Sequence, residues 1–285
     1  MNIKTIALDL DGTLLDRNHN ILPKTKKALL ELQNKGIEII LASGRPINGM
    51  LPYAKELEMD KHHGVIVSNN GAVAYDVRNH KIIFENPIKP EYIKEILKNN
   101  KKYNIPAMIQ EGDYMIVENV YDGVVDSGDL GKGRINIIEW EARNGHFLLK
   151  EVASMIDYVD FPVNKLLTIV EPSFLDANIE KISAPLKDKV HISRTADFYL
   201  EYTTKGINKQ TALEKLNIDS ETLMSFGDSM NDKEMVEFAK YGICMSNGHD
   251  GVKEVANYIT GDRDEEGIYK ALIYYGMVDE IWLKN

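Results

Sequence analysis

Two carboxylates stand two residues apart in Asp9-Leu10-Asp11-Gly12-Thr13. At that spacing one carboxylate can attack phosphorus while its neighbour handles the proton of the leaving group. Both follow the apolar run Ile6-Ala7-Leu8, which reads as a buried strand, and Gly12 lets the chain turn out of it. The acids are thereby delivered to the lip of a sheet, where ligands bind in open α/β folds. A calcium loop is the competing reading. It needs further oxygen ligands at short intervals, and after Asp11 the chain offers only Thr13 and Asp16, without a bidentate Glu at the required spacing.

Two further clusters repeat the pattern of a strand emptying into small and polar residues. In Leu41-Ala42-Ser43-Gly44-Arg45-Pro46, Ser43 supplies a hydroxyl, Gly44 permits close backbone approach, and helix-opening N–H groups beyond them suit an anion. An ordinary N-cap is the alternative for Ser43. In Gly227-Asp228-Ser229-Met230-Asn231-Asp232, Asp228 and Asp232 can help Asp9 and Asp11 to hold a hard cation. Magnesium is expected, because no His or Cys accompanies these acids as zinc would require. Simple capping of the following helix is the alternative there. Positive charge for an anionic substrate is expected from Lys205 or Lys209, both in Tyr202-Thr203-Thr204-Lys205-Gly206-Ile207-Asn208-Lys209-Gln210. The seven His residues form no spaced metal pair and are expected at surface or loop positions.

Strands expected over 3–8, 37–42 and 65–67, with helices over 24–35 and 53–59, give the alternation of a parallel sheet with crossovers. A hairpin over 72–77 and 81–84 follows. The pattern then changes to a helix over 91–101, a hairpin flanking Gly112-Asp113, an irregular loop over 122–133, a strand over 165–170 and a helix over 174–186. Strands at 190–193 and 199–202 precede renewed alternation: helix 208–216, strand 223–226, helix 232–240, strand 243–245, helix 252–256, strand 258–260 and helix 266–275. The fold class expected is α/β, a doubly wound, mostly parallel sheet with an inserted α+β cap domain. The core takes residues 1–84 and 188–285, and the cap takes 85–187.

The 285 residues carry a formal charge of −10, and 44% of them are hydrophobic. That charge repels nucleic acid and anionic membrane, and no apolar run is long enough to span a bilayer. The opening Met1-Asn2-Ile3-Lys4 lacks the apolar segment of a secretory signal. A single cysteine, Cys244, excludes an internal disulfide and fits a reducing cytoplasm. Its apolar neighbours make it a packed core thiol.

Together these segments resemble the haloacid dehalogenase-like hydrolases, and specifically the Cof-type phosphatases with a type IIB cap. The resemblance rests on Leu8-Asp9-Leu10-Asp11-Gly12-Thr13-Leu14, Ala42-Ser43-Gly44-Arg45-Pro46, Gly206-Ile207-Asn208-Lys209 and Gly227-Asp228-Ser229-Met230-Asn231-Asp232, in that order. Ser68-Asn69-Asn70-Gly71-Ala72 and Val252-Lys253-Glu254-Val255-Ala256-Asn257-Tyr258 also look like family segments. One departure is Gln210, where the family usually has Gly after the motif lysine. The resemblance implies a magnesium-dependent phosphatase of small phosphomonoesters, sugar phosphates or phosphorylated cofactors. Asp9 would be the nucleophile, Asp11 the acid and base, and Lys209 a contact to phosphate and Asp9. Mg²⁺ would bind Asp9, the Asp11 carbonyl and Asp228. Leu10, Ser43, Gly44 and Asn231 would hold phosphate oxygens, with Arg45, Ser229 and Asp232 in support. A phosphomutase of sugar phosphates and a non-catalytic phosphometabolite sensor are the alternatives. The expected partner is a small phosphorylated substrate. Its identity, the cap residues that contact it and the oligomeric state are left open by the sequence.

Overall fold

The computed structural model describes residues 2–279, and the chain divides into two units. One runs to Phe84 and resumes at Asn208; the other is Glu85–Ile207. The first opens with β1 (Thr5–Leu8), α1 (Pro23–Asn34), β2 (Glu38–Ala42), α2 (Ile47–Glu56), β3 (Val65–Ser68), β4 (Val73–Asp76) and β5 (Lys81–Glu85). The inserted unit then carries α3 (Pro90–Lys101), β6 (Ala107–Glu111), β7 (Tyr114–Val117), β8 (Val124–Asp126), β9 (Arg134–Asn136), α4 (Ile137–Asn144) and β10 (Leu148–Glu151). It continues through α5 (Met155–Tyr158), β11 (Lys165–Ile169), α6 (Pro172–Ser183), β12 (Val190–Ala196) and β13 (Tyr199–Thr204). The first unit resumes with α7 (Lys209–Lys215), β14 (Leu223–Gly227), α8 (Lys233–Phe238), β15 (Tyr241–Cys244), α9 (Asp250–Lys253), β16 (Tyr258–Ile259) and α10 (Gly267–Tyr274).

The core sheet has the order β16-β15-β14-β1-β2-β3-β4-β5. It is parallel from β16 to β3 and turns antiparallel at β4. Its central strands are apolar throughout because both faces are covered. Ile6, Leu8, Ile39 and Leu41 share one core with Leu29 of α1 and Met50 of α2. The intervening Ala7, Ile40 and Ala42 share another with Leu213 of α7 and Met235 of α8. The chain leaves β1 toward β2 and returns on its other side as β14. The ends of β1 and β14 therefore flank a topological switch point, the crevice where open α/β sheets bind ligands. This is the expected α/β, doubly wound core.

The insertion differs from expectation in where it ends. β12 and β13 lie in the six-stranded sheet β10-β7-β6-β11-β13-β12 of the inserted unit, so that unit extends to Ile207 and not to 187. Leu200 and Tyr202 of β13 pack with Leu166 of β11. A strand's pattern shows that it is a strand, not which sheet it joins. The 122–133 segment, expected to be irregular, contains β8, which pairs with β9. α2 begins at Ile47, earlier than expected, with Pro52 inside it. Gly49 and Pro52 weaken the helical signal there, and burial of Met50 and Ala54 overrides it. Cys244 is fully buried, and that burial pushes its thiol up to about 11, well out of the nucleophilic range. Among the described residues no helix is long and apolar enough to cross a membrane.

Candidate active site

Asp9 follows the last residue of β1 and stays in register with β14, its N–H donating to the Phe226 carbonyl at 3.1 Å. Lys209 opens α7, which is set by a reciprocal cap between Asn208 and Thr211. Its side chain is fully buried, and Nζ donates to Asp9 Oδ1 at 2.6 Å and to Asp232 Oδ1 at 2.5 Å. The other oxygen of Asp232, Oδ2, accepts the N–H groups of Asp228 and Ser229. Asp228 accepts from Thr13 Oγ1 at 2.8 Å and Ser229 Oγ at 3.0 Å. Gly12 makes room for this carboxylate: its φ is +88°, and a Cβ there would meet Asp228 Oδ2 at 2.4 Å.

The charges of this cluster do not balance. Oxygens of Asp9, Asp228 and Asp232 lie within 4.8 Å of one another, with one lysine among them. Burial and the negative charge of Asp232 push the Asp9 carboxyl well above its ordinary range despite Lys209. Burial and the same neighbour also raise Asp228. Lys209 loses charge stability to burial but gains more from Asp232 and Asp9, and its pKa rises. A shortage of positive charge beside an all-oxygen donor set fits a hard divalent cation. Asp9, Asp228 and Asp232 each offer a carboxylate oxygen to such an ion, and Asp232 also engages Lys209 and two backbone amides.

Asp11 does not join this group. Its carboxylate receives Arg45 Nε at 2.7 Å and Nη2 at 2.6 Å. Burial disfavours the Arg45 charge, but the hydrogen bonds and charge of Asp11 outweigh it and the guanidinium pKa rises. The guanidinium also lies over the Tyr53 ring, 5.5 Å from its centroid. His19 Nδ1 is 3.3 Å from Arg45 Nη2 and 3.7 Å from Asp11 Oδ1.

Beyond β2, Ser43 is buried and its Oγ accepts the Arg45 N–H at 3.2 Å. It does not cap α2, whose N-cap is Pro46. Asn70, at φ 55°, donates its backbone N–H to the Ser43 carbonyl at 3.0 Å. Its side chain abuts Gly44, where a Cβ would lie 3.2 Å from Oδ1. Asn231 Nδ2 donates to that same oxygen at 2.9 Å. Hydroxyl, amide and backbone groups from the ends of three strands thus converge.

Asp9, Lys209, Asp228 and Asp232 meet directly, with Ser229 on Asp228. Arg45 meets Asp11, and Ser43, Gly44 and Asn231 meet through Asn70. The Leu10 side chain is in the core, so only its backbone is available to a ligand. Of the two candidate lysines, Lys205 is exposed near Asp188 and Lys209 turns inward. Gln210 sits in the first turn of α7 and donates to Glu214 at 3.0 Å, an ordinary i, i+4 helical pair. Thr13, His19, Tyr53 and Asn70 carried no expected site role. Thr13 and Asn70 lie inside the quoted motifs, so their neighbours were the available signal. His19 and Tyr53 have no sequence signal, because only folding brings them to Arg45.

The model of the haloacid dehalogenase-like hydrolases matches residues 6–272. A haloacid dehalogenase-like hydrolase from Bacteroides thetaiotaomicron superposes with a TM-score of 0.84 at 28% identity, covering 96% of this chain and 99% of that one. The subclass IIB sugar phosphatase BT4131 shares the fold, with a TM-score of 0.76 at 24% identity over 96% of this chain and 100% of its own. The Bacillus subtilis 5-amino-6-(5-phospho-D-ribitylamino)uracil phosphatase YitU is 26% identical, covering 95% of this chain and 96% of its own.

Proposed function

The chain belongs to the haloacid dehalogenase-like hydrolase family, and from that premise we propose that it is a magnesium-dependent phosphatase of small phosphomonoesters, sugar phosphates or phosphorylated cofactors, working through an aspartyl-phosphate. One observation carries the reading: a fully buried lysine shared by Asp9 and Asp232, beside Asp228, at a sheet's switch point. YitU, which acts on a phosphorylated ribitylaminouracil, supports the substrate class.

Asp9 attacks phosphorus. The bond from its oxygen forms as the bond to the leaving oxygen breaks, and Asp11 passes its proton to that oxygen. Water then attacks the phosphoryl group on Asp9 while Asp11 takes up the proton, and phosphate departs with Asp9 restored. Lys209 offsets the charge of Asp9 and of the incoming phosphate, held in place by Asp232. Ser43, the backbone of Leu10 and Gly44, and Asn231 bind the phosphate oxygens, which is most of what phosphoryl transfer demands of a protein. Mg²⁺, held by Asp9, Asp228 and the Asp11 carbonyl, would supply the missing positive charge. The single buried thiol fits action in a reducing cytoplasm.

The test is a panel of phosphorylated metabolites assayed with Mg²⁺ and with EDTA. Inorganic phosphate is expected in Mg²⁺ and not in EDTA. Equal turnover by wild type and Asp9→Asn rejects the assignment. A bisphosphate requirement without phosphate release favours a mutase, and binding without hydrolysis favours a sensor.

A further inference from the structure

We propose that Arg45 is a positioning residue for Asp11, and that it neither grips the substrate nor merely braces its own loop. The inference rests on the phosphatase reading, in which Asp11 serves the leaving group. Asp9 and Asp11 are two residues apart yet have different cations. Asp9 has Lys209 in a buried site, whereas the Asp11 side chain is 47% exposed and receives two hydrogen bonds from Arg45. An exposed aspartate has free rotamers, and a forked guanidinium on both its oxygens fixes the plane of the carboxylate as a single ammonium cannot.

Arg45 is itself held from behind. Its ring contact with Tyr53 and its approach to the Gly49 carbonyl come from α2, and its own carbonyl accepts the Asn69 N–H at 3.1 Å. Rigid helix contacts thus pass through Arg45 to the one carboxylate of the pair that lacks a buried setting. The arrangement serves both half-reactions. When Asp11 gives its proton to the departing oxygen, the negative charge that appears is already opposite the guanidinium, and the same pair orients the carboxylate that later takes the proton of water.

Leaving groups separate this role from the alternatives. p-Nitrophenolate departs without help, whereas an alkoxide such as that of glycerol phosphate needs a proton. Arg45→Gln is expected to lower kcat on the alkyl phosphate by about 10- to 100-fold, as lost proton transfer does, and on p-nitrophenyl phosphate by less than about threefold, with KM for both nearly unchanged. Arg45→Lys is expected to recover only part of the alkyl phosphate rate, because it lacks the fork, and it carries the test if the Gln variant folds poorly. Equal losses on both substrates, or losses confined to KM, overturn the proposal in favour of substrate binding or loop bracing. Asp11→Asn is the control. If it discriminates between the leaving groups and the Arg45 variants do not, Arg45 is wrongly assigned. If Asp11→Asn itself shows no discrimination, the acid–base reading of Asp11 fails and this proposal falls with it.

Discussion

Burial separates the roles of otherwise identical side chains. Asp9 is raised because burial and Asp232 oppose its charge more than Lys209 supports it. A carboxyl with a raised folded-state pKa binds its proton more tightly folded than unfolded. Its contribution to stability is therefore present below the ordinary carboxylate range and is lost as pH rises through the raised value. Asp9→Asn should thus leave the EDTA-treated protein as stable as wild type or more so at pH 7, with the advantage vanishing below about pH 4, while turnover falls by roughly 10⁴-fold or more. Melting temperatures across that pH range, together with phosphate release, check both halves. A marked loss of stability at pH 7 would make Asp9 a structural acid. Lys209→Met acts in the opposite sense. It strips the shared cation from two buried acids and should cost about 3–5 kcal/mol at neutral pH, part of it regained in acid as those groups protonate. Denaturant titration at pH 5 and pH 8 reads this directly.

Elements position these residues through close approaches that only glycine permits. Gly71 and Gly36 both have positive φ, at +99° and +89°. A Cβ on Gly36 meets nothing within 4 Å, while one on Gly71 would lie 2.1 Å from the carbonyl oxygen of Asn208, the N-cap of α7. Gly36→Ala should cost about 1 kcal/mol from the backbone alone and keep full activity. Gly71→Ala must push the start of α7 away and carry Lys209 with it. Its loss should exceed that of Gly36→Ala by about 1–3 kcal/mol, and kcat should drop although Gly71 bears no functional group. Equal melting temperatures and unchanged kcat for the two variants would show that the turn after β3 does not set α7.

Along the chain one unit is inserted into the sequence of the other, and where the insertion ends is testable. β12 and β13 pair with β11 and bury Leu200 and Tyr202, so they go with the insertion. Replacing 85–207 by a short flexible linker should yield a core that folds cooperatively, as judged by near-UV circular dichroism and a sharp thermal transition. Removing only 85–187 should leave two strands without their sheet and give an aggregating product. The reverse outcome would return these strands to the core.

Apolar runs ending in Gly and polar residues, repeated at 9–13, 41–46 and 225–232, pointed to a doubly wound sheet and its candidate site from local pattern. Runs such as Ile39-Ile40-Leu41 can be satisfied only by burial on both faces. The same local information singled out Asp9, Asp11, Ser43 and Asp228 as candidates, because their proposed chemistry depends on residue type and strand-end position. What pattern does not contain is partnership. That Lys209 and not Lys205 turns inward, that Asp232 is spent on holding it, that Arg45 takes Asp11, and that β12 and β13 join the inserted sheet each depend on contacts between residues distant in the chain. Those contacts were decided by packing, which selects among many locally equivalent choices the one that buries the most apolar surface and pairs most of the buried polar groups.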